Sequence, residues 1–231
     1  MRQFPLMLFA AGFGTRMAAL TADRPKPLIK VAGRTLMDHA LALADDAGLT
    51  RRVVNLHYRG DQIAAHLAGR NVALSWELET ILDTGGGLRQ ALALLGDGPV
   101  LTLNSDAVWT GRNPLVELAE GWSDAMAALV LLAPADQATG HAGPSDFVLD
   151  GDGRISRAAG RSGHVYLGAQ ILNPAGLQGF SEKAFSINLL WDRLIVQGRA
   201  YGVVHRGGWC DVGRPEGIAL AEAMLAQSGD V

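Results

Sequence analysis

Residues 9–17 read FAAGFGTRM, an apolar run that ends in two glycines, a threonine and an arginine. The apolar run begins at residue 4, and the stretch FPLMLFAA predicts a short strand that is buried on both faces. Gly12 and Gly14 permit a tight turn after this strand, and they also leave backbone N–H groups uncovered for an anion such as phosphate. Arg16 adds a permanent positive charge. The stretch therefore predicts a buried strand of an α/β fold, followed either by an anion-binding loop or by an ordinary tight turn.

The rest of the chain alternates short apolar runs with helical patterns. In the first half, this alternation predicts helices at 35–48, 61–69 and 88–96 and strands at 52–57, 72–76 and 99–104. In the second half, it predicts strands at 125–133, 164–172 and 201–205, a hairpin at 147–157 and helices at 187–198 and 214–227. The order indicates an α/β fold in which a parallel sheet is covered by helices on both faces. No linker, low-complexity tract or repeat divides the chain, which predicts a single domain, residues 1–231.

The composition argues against several classes of protein. With 20 Lys and Arg against 23 Asp and Glu, the net charge of −3 offers no basic surface for nucleic acid. No apolar stretch reaches the roughly 20 residues that a membrane-spanning helix needs, and the apolar N-terminal run lacks a signal-peptide cleavage site. The single cysteine, Cys210, rules out an intrachain disulfide. These features predict a soluble cytoplasmic protein with no nucleic-acid or membrane partner, and they leave its oligomeric state, monomer or dimer, open.

Two familiar nucleotide-binding motifs do not match the glycine-rich loop. Met17 stands where a dinucleotide fingerprint needs its third glycine, and no GK[ST] follows, so a P-loop is excluded as well. Downstream, Lys26 lies in PKPL and is one of only three lysines in the chain. The prolines on either side stiffen its backbone, which suits a charge that has to be placed. A solvated loop lysine is the alternative interpretation.

Two aspartates and a glycine run complete the candidate features. Asp106, in LTLNSDAVW, follows an apolar strand at the edge where open α/β sheets bind ligands, and Mg²⁺ would suit its carboxylate. Asp211, in GGWCDVGRPE, could share that metal. The alternative for Asp106 is a turn or helix-cap role, and the alternative for Asp211 is to cap the helix that follows it. In LDTGGGLRQAL, the glycines lead into a predicted helix and favour free N–H groups at its positive end.

Together these motifs resemble the sugar-1-phosphate nucleotidyltransferase family. The resemblance covers LFAAGFGTRMAALTADRPKPLIKVAGRTLMDHAL, LDTGGGLRQAL, LNSDAVW and WCDVGRPEGI, in the family's order and over nearly the whole chain. It implies a Rossmann-like, doubly wound mixed sheet, the nucleotide-diphospho-sugar transferase fold. It also implies a nucleotide-binding part at 1–110 and a mainly sugar-phosphate-binding part at 111–231.

The resemblance further implies a role for each matching residue. Arg16, Lys26, Asp106 and Asp211 match the catalytic charges, and the two aspartates match the pair that holds Mg²⁺. The residues that match the nucleotide-binding positions are Ala10, Ala11, Gly12, Gly14, Thr15, Arg16, Glu77, Asp83, Thr84 and Gly85. On this basis, a sugar-1-phosphate oxygen attacks the α-phosphorus of a nucleoside triphosphate, and pyrophosphate leaves.

The substrates follow from finer features of the same resemblance. The TGGG form, the short chain and the WCDVG ending most resemble the uridylyltransferases that act on N-acetylmuramate α-1-phosphate in bacterial cell-wall recycling. Thymidylyl transfer to glucose-1-phosphate and guanylyl transfer to mannose-1-phosphate are the alternatives on the same scaffold. A non-catalytic nucleotide-sugar sensor and a molybdopterin-type cytidylyltransferase are the rivals.

The acceptor side departs from the family pattern. Many relatives carry Glu-Lys-Pro after the hairpin, whereas this chain reads ISRAAGRSGHVYLG. The resemblance then places Tyr166 and Gly168 at the acceptor pocket, with Asp146 as a further candidate, and the missing charges imply room for a bulkier, lactyl-bearing sugar.

Overall fold

The structure is a computed structural model, and it describes residues 2–229. Its strands are β1 (Leu6–Phe9), β2 (Lys30–Val31), β3 (Arg34–Thr35), β4 (Arg52–Leu56), β5 (Ala73–Trp76), β6 (Val100–Asn104), β7 (Ala107–Gly111), β8 (Ala128–Pro134), β9 (Phe147–Leu149), β10 (Ile155–Arg157), β11 (His164–Leu172), β12 (Ala200–Val204) and β13 (Gly207–Asp211). Its α-helices are α1 (Leu36–Asp46), α2 (Gly60–His66), α3 (Asp83–Leu95), α4 (Pro114–Gly121), α5 (Asn188–Val196) and α6 (Glu216–Ser228). Short 3₁₀ helices span Thr15–Thr21, Lys26–Leu28, Ala135–Gln137 and Pro174–Gly179. No helix among these residues is both long and apolar enough to cross a membrane.

The central sheet is mixed. Its strands run in the order β10-β9-β11-β6-β1-β4-β5, and β8 pairs with both β11 and β12. Strand β1 is parallel to β4 and β6, as the alternation of strands and helices in the first half predicts. Strand β11 runs antiparallel to β6 and β8, so the second half turns the parallel sheet into a mixed one. The predicted single α/β domain with a doubly wound mixed sheet is confirmed.

Helices cover both faces of this sheet. On one face, apolar residues of α1 and α4 pack with alternate residues of β1, β4 and β6. On the other face, α3 and α5 pack against a second cluster that includes Met7 and Val53. Because successive strand residues point to opposite faces, β1 contributes Leu6 and Leu8 to the first cluster and Met7 to the second. Burial on both faces explains why β1 reads as a continuous apolar run.

Thr35 caps the start of α1. The backbone N–H of Asp38 donates to Thr35 Oγ1 at 3.0 Å, and the Thr35 hydroxyl donates to an Asp38 carboxylate oxygen at 2.6 Å. Burial alone would raise the pKa of Asp38, but hydrogen bonds from Thr35 and His66, with the charges of His66 and Arg70, lower it to about 2. Gly48 follows the helix with a φ of +66°, the left-handed conformation expected of a glycine stop.

A short antiparallel ribbon was not predicted. Strand β13 pairs with β7 so that Asp211 lies opposite Ala107, and the predicted final strand at 201–205 is therefore followed by one more. Asp211 ends this strand, and α6 begins five residues later without a side-chain cap, so the helix-cap interpretation of Asp211 is wrong. The ribbon escaped prediction because its two strands are short and lie about a hundred residues apart, with two glycines at the start of β13.

Candidate functional site

A cavity of about 300 Å³ opens at the carboxyl ends of β1, β4 and β6. Ligands of open α/β sheets bind at this edge, since the loops that leave the strands converge there. Of the predicted nucleotide-binding and catalytic residues, the cavity is lined by Ala10, Ala11, Gly12, Gly14, Thr15, Arg16, Lys26, Glu77, Asp83, Thr84 and Asp106. Residues from four separate stretches of the sequence are thus brought to one site.

The loop after β1 presents unpaired amides to this cavity. The N–H groups of the four successive residues 11–14 donate to no acceptor within residues 2–229. No atom of residues 2–229 would lie within 4 Å of a side chain at Gly12, so the backbone there faces open space. Gly14 has a φ of +65°, and a side chain on it would press on Lys26 and Thr21, each 3.0 Å away. The loop therefore needs a glycine at position 14, whereas the open space at Gly12 leaves the backbone accessible to a ligand, and the free donors of the loop suit phosphate oxygens.

Lys26 is a buried, paired cation and not a solvated loop lysine. The residue is only 8% exposed, and its Nζ lies 2.8 Å from Asp106 Oδ2. The prolines that flank it hold the 3₁₀ turn Lys26–Leu28, so its position is set by the backbone. Arg16, in contrast, is exposed, and its side chain has no hydrogen bond or salt bridge in the described part of the chain. The site thus combines one fixed cation with one that is free to meet an anionic ligand.

The two candidate metal-binding aspartates lie close together. The β7–β13 ribbon brings Asp211 opposite Ala107, and the N–H of Val212 donates to the Asp106 carbonyl oxygen at 2.9 Å. Burial raises the pKa of the Asp211 carboxyl, and the charge of Asp106 raises it further. Asp211 itself is not among the cavity-lining residues, but Gly213 is, and a side chain at Gly213 would lie 2.7 Å from an Asp211 carboxylate oxygen.

This carboxylate pair fits a hard divalent cation. Two negative groups in a partly buried site favour a positive ion between them, and Mg²⁺ is commonly held by one or two carboxylates together with substrate phosphates and water. No group of three or more His, Cys, Asp and Glu side chains that could hold a metal occurs among residues 2–229. The chain therefore offers two carboxylates, and phosphate oxygens would have to complete the coordination.

The glycine run differs from its prediction. The glycines do not lead into α3 but lie inside its first turns, and the amides of Gly85 and Gly86 are not free. Both donate to the carbonyl oxygen of Phe185, at 2.9 and 3.1 Å. Side chains on Gly85 and Gly86 would collide with Phe185 and with the Lys183 carbonyl oxygen. Asp83 and Thr84 line the cavity, whereas Gly85 is buried beneath the 183–185 segment and does not.

The three predicted acceptor residues do not line the described cavity. Asp146 accepts a hydrogen bond from the Tyr166 N–H at 2.8 Å, and burial raises the pKa of the Tyr166 phenol. Gly168 lies at an irregularity in β11 with a φ of +82°, and a side chain there would come within 2.9 Å of Asn104. Since Asn104 does line the cavity, Gly168 is one layer away from it.

Several cavity residues were missed at the sequence level. Asn55 and Asn104 stand near the ends of β4 and β6, and Ser105 follows β6 with its hydroxyl donating to the Phe9 carbonyl oxygen at 2.6 Å. Asn55 carried a usable signal, since a single amide inside an otherwise apolar strand has to find buried partners.

This chain is also similar in sequence and in structure to known proteins. The family model for MobA-like NTP transferase domains matches residues 6–174. An N-acetylmuramate alpha-1-phosphate uridylyltransferase of Caulobacter vibrioides is 38% identical, over 96% of this chain and 97% of that protein. A uridylyltransferase of the same description from Neisseria meningitidis serogroup B is 33% identical, over 94% of this chain and 96% of that protein. The crystal structure of HddC from Yersinia pseudotuberculosis complexed with GMP-PN superposes with a TM-score of 0.77 at 19% identity, covering 96% of this chain and 99% of that one.

Proposed function

Because the chain belongs to the family of MobA-like NTP transferase domains, we propose that it joins UTP to N-acetylmuramate α-1-phosphate and releases pyrophosphate. Its similarity to two uridylyltransferases of that specificity, along nearly their whole length, supports this choice of substrates. The observation that carries the chemistry is the position of Lys26, Asp106 and Asp211 beside a loop with four unpaired amides.

The reaction needs no nucleophilic side chain, because the phosphate of the acceptor sugar is already an anion. One of its oxygens forms a bond to the α-phosphorus of UTP, and the bond from that phosphorus to the pyrophosphate oxygen breaks in line. The protein has to bring two anions together and to stabilise charge that moves onto the leaving pyrophosphate. Cations and backbone donors, and not a general base, are therefore the groups the site requires.

The residues of the cavity can divide this task between them. The amides of residues 11–14 suit the β- and γ-phosphates, because each N–H is available for an anionic oxygen. Arg16 can close on the triphosphate, since no hydrogen bond or salt bridge holds its guanidinium within residues 2–229. Lys26 can hold the oxygens of the α-phosphate and of the incoming phosphate, since its ammonium group is fixed at the cavity wall. Asp83 and Thr84 line the same cavity, and they are the residues assigned to the nucleobase.

Asp106 and Asp211 would hold Mg²⁺. Enzymes of this family typically use a divalent metal ion, and the ion, when bound, neutralises charge on the α-phosphate and on the leaving pyrophosphate. The Lys26 ammonium group donates to Asp106 Oδ2 at 2.8 Å, which restrains this carboxylate at the cavity wall. The two aspartates thus place the positive charge where the negative charge develops.

The remaining assignments complete the proposal. Residues 1–110 supply the nucleotide-binding part, and residues 111–231 supply mainly the acceptor part, which includes Asp146, Tyr166 and Gly168. The enzyme acts in the cytoplasm, without a nucleic-acid or membrane partner, in the recycling of the peptidoglycan sugar N-acetylmuramate. The lack of a charged Glu-Lys-Pro grip leaves room for the lactyl group of that sugar.

The test is product formation from purified protein. Incubation with UTP, N-acetylmuramate α-1-phosphate and Mg²⁺ should yield the UDP-sugar, identified by its mass, with one pyrophosphate per product. Asp106→Asn should abolish it. Asp97→Asn is the matched control, because Asp97 is an exposed aspartate in the turn before β6, at the opposite end of that strand from the cavity. Equal activity of the two variants would contradict the proposed role of Asp106.

A further inference from the structure

Glu77 is a buried carboxylate on the wall of the nucleotide cavity. The residue is 2% exposed, and both of its carboxylate oxygens already accept hydrogen bonds. Oε1 accepts from the Asn55 side-chain amide at 2.7 Å, and Oε2 accepts from the backbone N–H of Leu82 at 2.7 Å. An ionised side chain this deeply buried is costly unless it is fully hydrogen-bonded, so both bonds matter to the fold around it.

Asn55 continues the same chain of hydrogen bonds. It is 3% exposed, and its side-chain oxygen accepts from the backbone N–H of Ala10 at 2.8 Å. The two side chains therefore connect Ala10, at the start of the phosphate-binding loop, to Leu82, directly before Asp83 and Thr84. Each of the two segments forms part of the cavity wall.

The packing around this link is tight. A side chain at position 87 would lie 2.7 Å from Glu77 Oε1 and 3.1 Å from the Asn55 side-chain nitrogen, which explains why the third residue of the glycine run is a glycine. The backbone of Glu77 is held as well, since its carbonyl oxygen contacts His57 Nδ1 at 2.6 Å. Glu77 has little freedom to leave its partners and turn toward a ligand.

We propose that Asn55 and Glu77 are a positioning pair that sets the distance between two parts of the pocket wall, the loop that begins at Ala10 and the segment that begins at Leu82. The Glu77 carboxylate is then not a nucleobase ligand. The inference rests on the proposed function, because it concerns how the same site holds its nucleotide. Without the pair, the distance between the amides of residues 11–14 and the segment that begins at Asp83 is no longer fixed. Nucleotide affinity then falls, while the acceptor side keeps its structure.

The direction of the hydrogen bonds gives a sharp test. In Glu77→Gln, the new amide group cannot accept from both Asn55 and Leu82, so one buried N–H loses its partner. In the double variant N55D/E77Q, the carboxylate moves to position 55 and accepts from Ala10, and the amide at position 77 donates to it while still accepting from Leu82. All three bonds are thus restored with donor and acceptor exchanged.

The measurement is calorimetric binding of UTP with Mg²⁺ and no sugar phosphate, followed by steady-state kinetics. We expect Glu77→Gln to weaken UTP binding by about tenfold to a hundredfold, the cost of one buried unpaired group. The KM for the sugar phosphate should change less than about threefold, and N55D/E77Q should restore UTP affinity to within about threefold of wild type.

Glu117→Gln is the matched control. Glu117 is also a buried glutamate whose oxygens accept from one side chain, His205, and one backbone N–H, that of Arg206, and it does not line the cavity. Its amide variant should lose thermal stability and keep the wild-type UTP affinity. A matching loss of UTP affinity in this variant would show that lower stability alone explains the effect, and would overturn the proposal.

The other outcomes are equally decisive. Unchanged UTP binding in Glu77→Gln overturns the proposal, as does a folded double variant that binds as weakly as Glu77→Gln, since the carboxylate at position 77 would then be a ligand itself. If both variants fail to fold, Gly87→Ala, whose methyl group presses on the Glu77 carboxylate, replaces them: weakened UTP binding supports the pair, and wild-type binding refutes it. If the wild type binds another nucleotide in place of UTP, the proposed substrate fails, and the same comparison is made with that nucleotide.

Discussion

Gly85→Ala should destabilise the folded protein even when no nucleotide is bound. The added methyl group would lie 2.6 Å from Cδ2 of the Phe185 ring and 2.8 Å from the Phe185 carbonyl oxygen. The ring cannot move aside easily, because it stacks on Phe180 at 4.7 Å and lies beneath the Arg89 guanidinium at 4.8 Å. Overpacking of this kind lowers the free energy of unfolding by about 1–3 kcal/mol, and the rigid ring predicts a value in the upper part of that range. The better helix propensity of alanine offsets about 1 kcal/mol of this loss.

The net loss of about 2 kcal/mol should lower the melting temperature by about 4–8 °C in a chain of this size. Gly12→Ala is the comparison, because a methyl group there meets no atom within 4 Å and projects into open space. Its melting temperature without ligand should stay at the wild-type value, while its UTP affinity should fall. Thermal unfolding with and without UTP separates the two. A Gly85→Ala protein of wild-type stability that binds UTP poorly would refute the packing argument and make Gly85 a nucleotide contact.

Three further predictions follow from charged groups. Lys26→Met should lower kcat/KM by about a hundredfold or more, and steady-state kinetics that show less than a threefold loss would contradict the role of its ammonium group. Asp211→Asn should raise the melting temperature in the absence of divalent ions, because it removes a buried carboxylate whose pKa is raised by burial and by Asp106. Mg²⁺ with UTP should stabilise the wild type more than this variant. Equal stabilisation of the two proteins would argue against Asp211 as a metal ligand. The pKa of Asp38 is about 2 in the folded protein, below its ordinary value of 3.8, so its contribution to stability is present above about pH 4 and disappears as the pH falls toward 2. Urea unfolding between pH 7 and 3 should show a smaller acid-induced loss in Asp38→Asn, and an identical pH profile would refute the assignment.

Several of the predicted residues that line the cavity lie in stretches whose sequence signals are local. FAAGFGTRM and PKPL each encode their own backbone through glycine and proline, and the apolar run before Gly12 fixes which edge of the sheet they reach. The expectation for Lys26 also depended only on its neighbours. The local structure of such stretches depends little on the rest of the chain.

The parts that sequence reasoning missed depend on distant partners. Nothing in TGGG reveals that the Phe185 carbonyl oxygen, a hundred residues away, caps the amides of Gly85 and Gly86. The β7–β13 ribbon that carries Asp211 to Asp106 likewise depends on pairing between two short strands far apart in the chain. Glu77 was assigned to the nucleotide by resemblance, whereas its burial against Asn55 and Leu82 exists only in the folded protein.

The most direct test of the proposed function is a matrix of pyrophosphate release in Mg²⁺. Each of the four common nucleoside triphosphates is paired with the 1-phosphates of N-acetylmuramate, N-acetylglucosamine, glucose and mannose. We expect rapid release with UTP and N-acetylmuramate α-1-phosphate, and far slower release with every other pair. Rapid release with a different pair would keep the chemistry and contradict the substrates. No release with any pair, in a protein that still binds nucleotide, would contradict the enzymatic function and favour a nucleotide-sugar sensor.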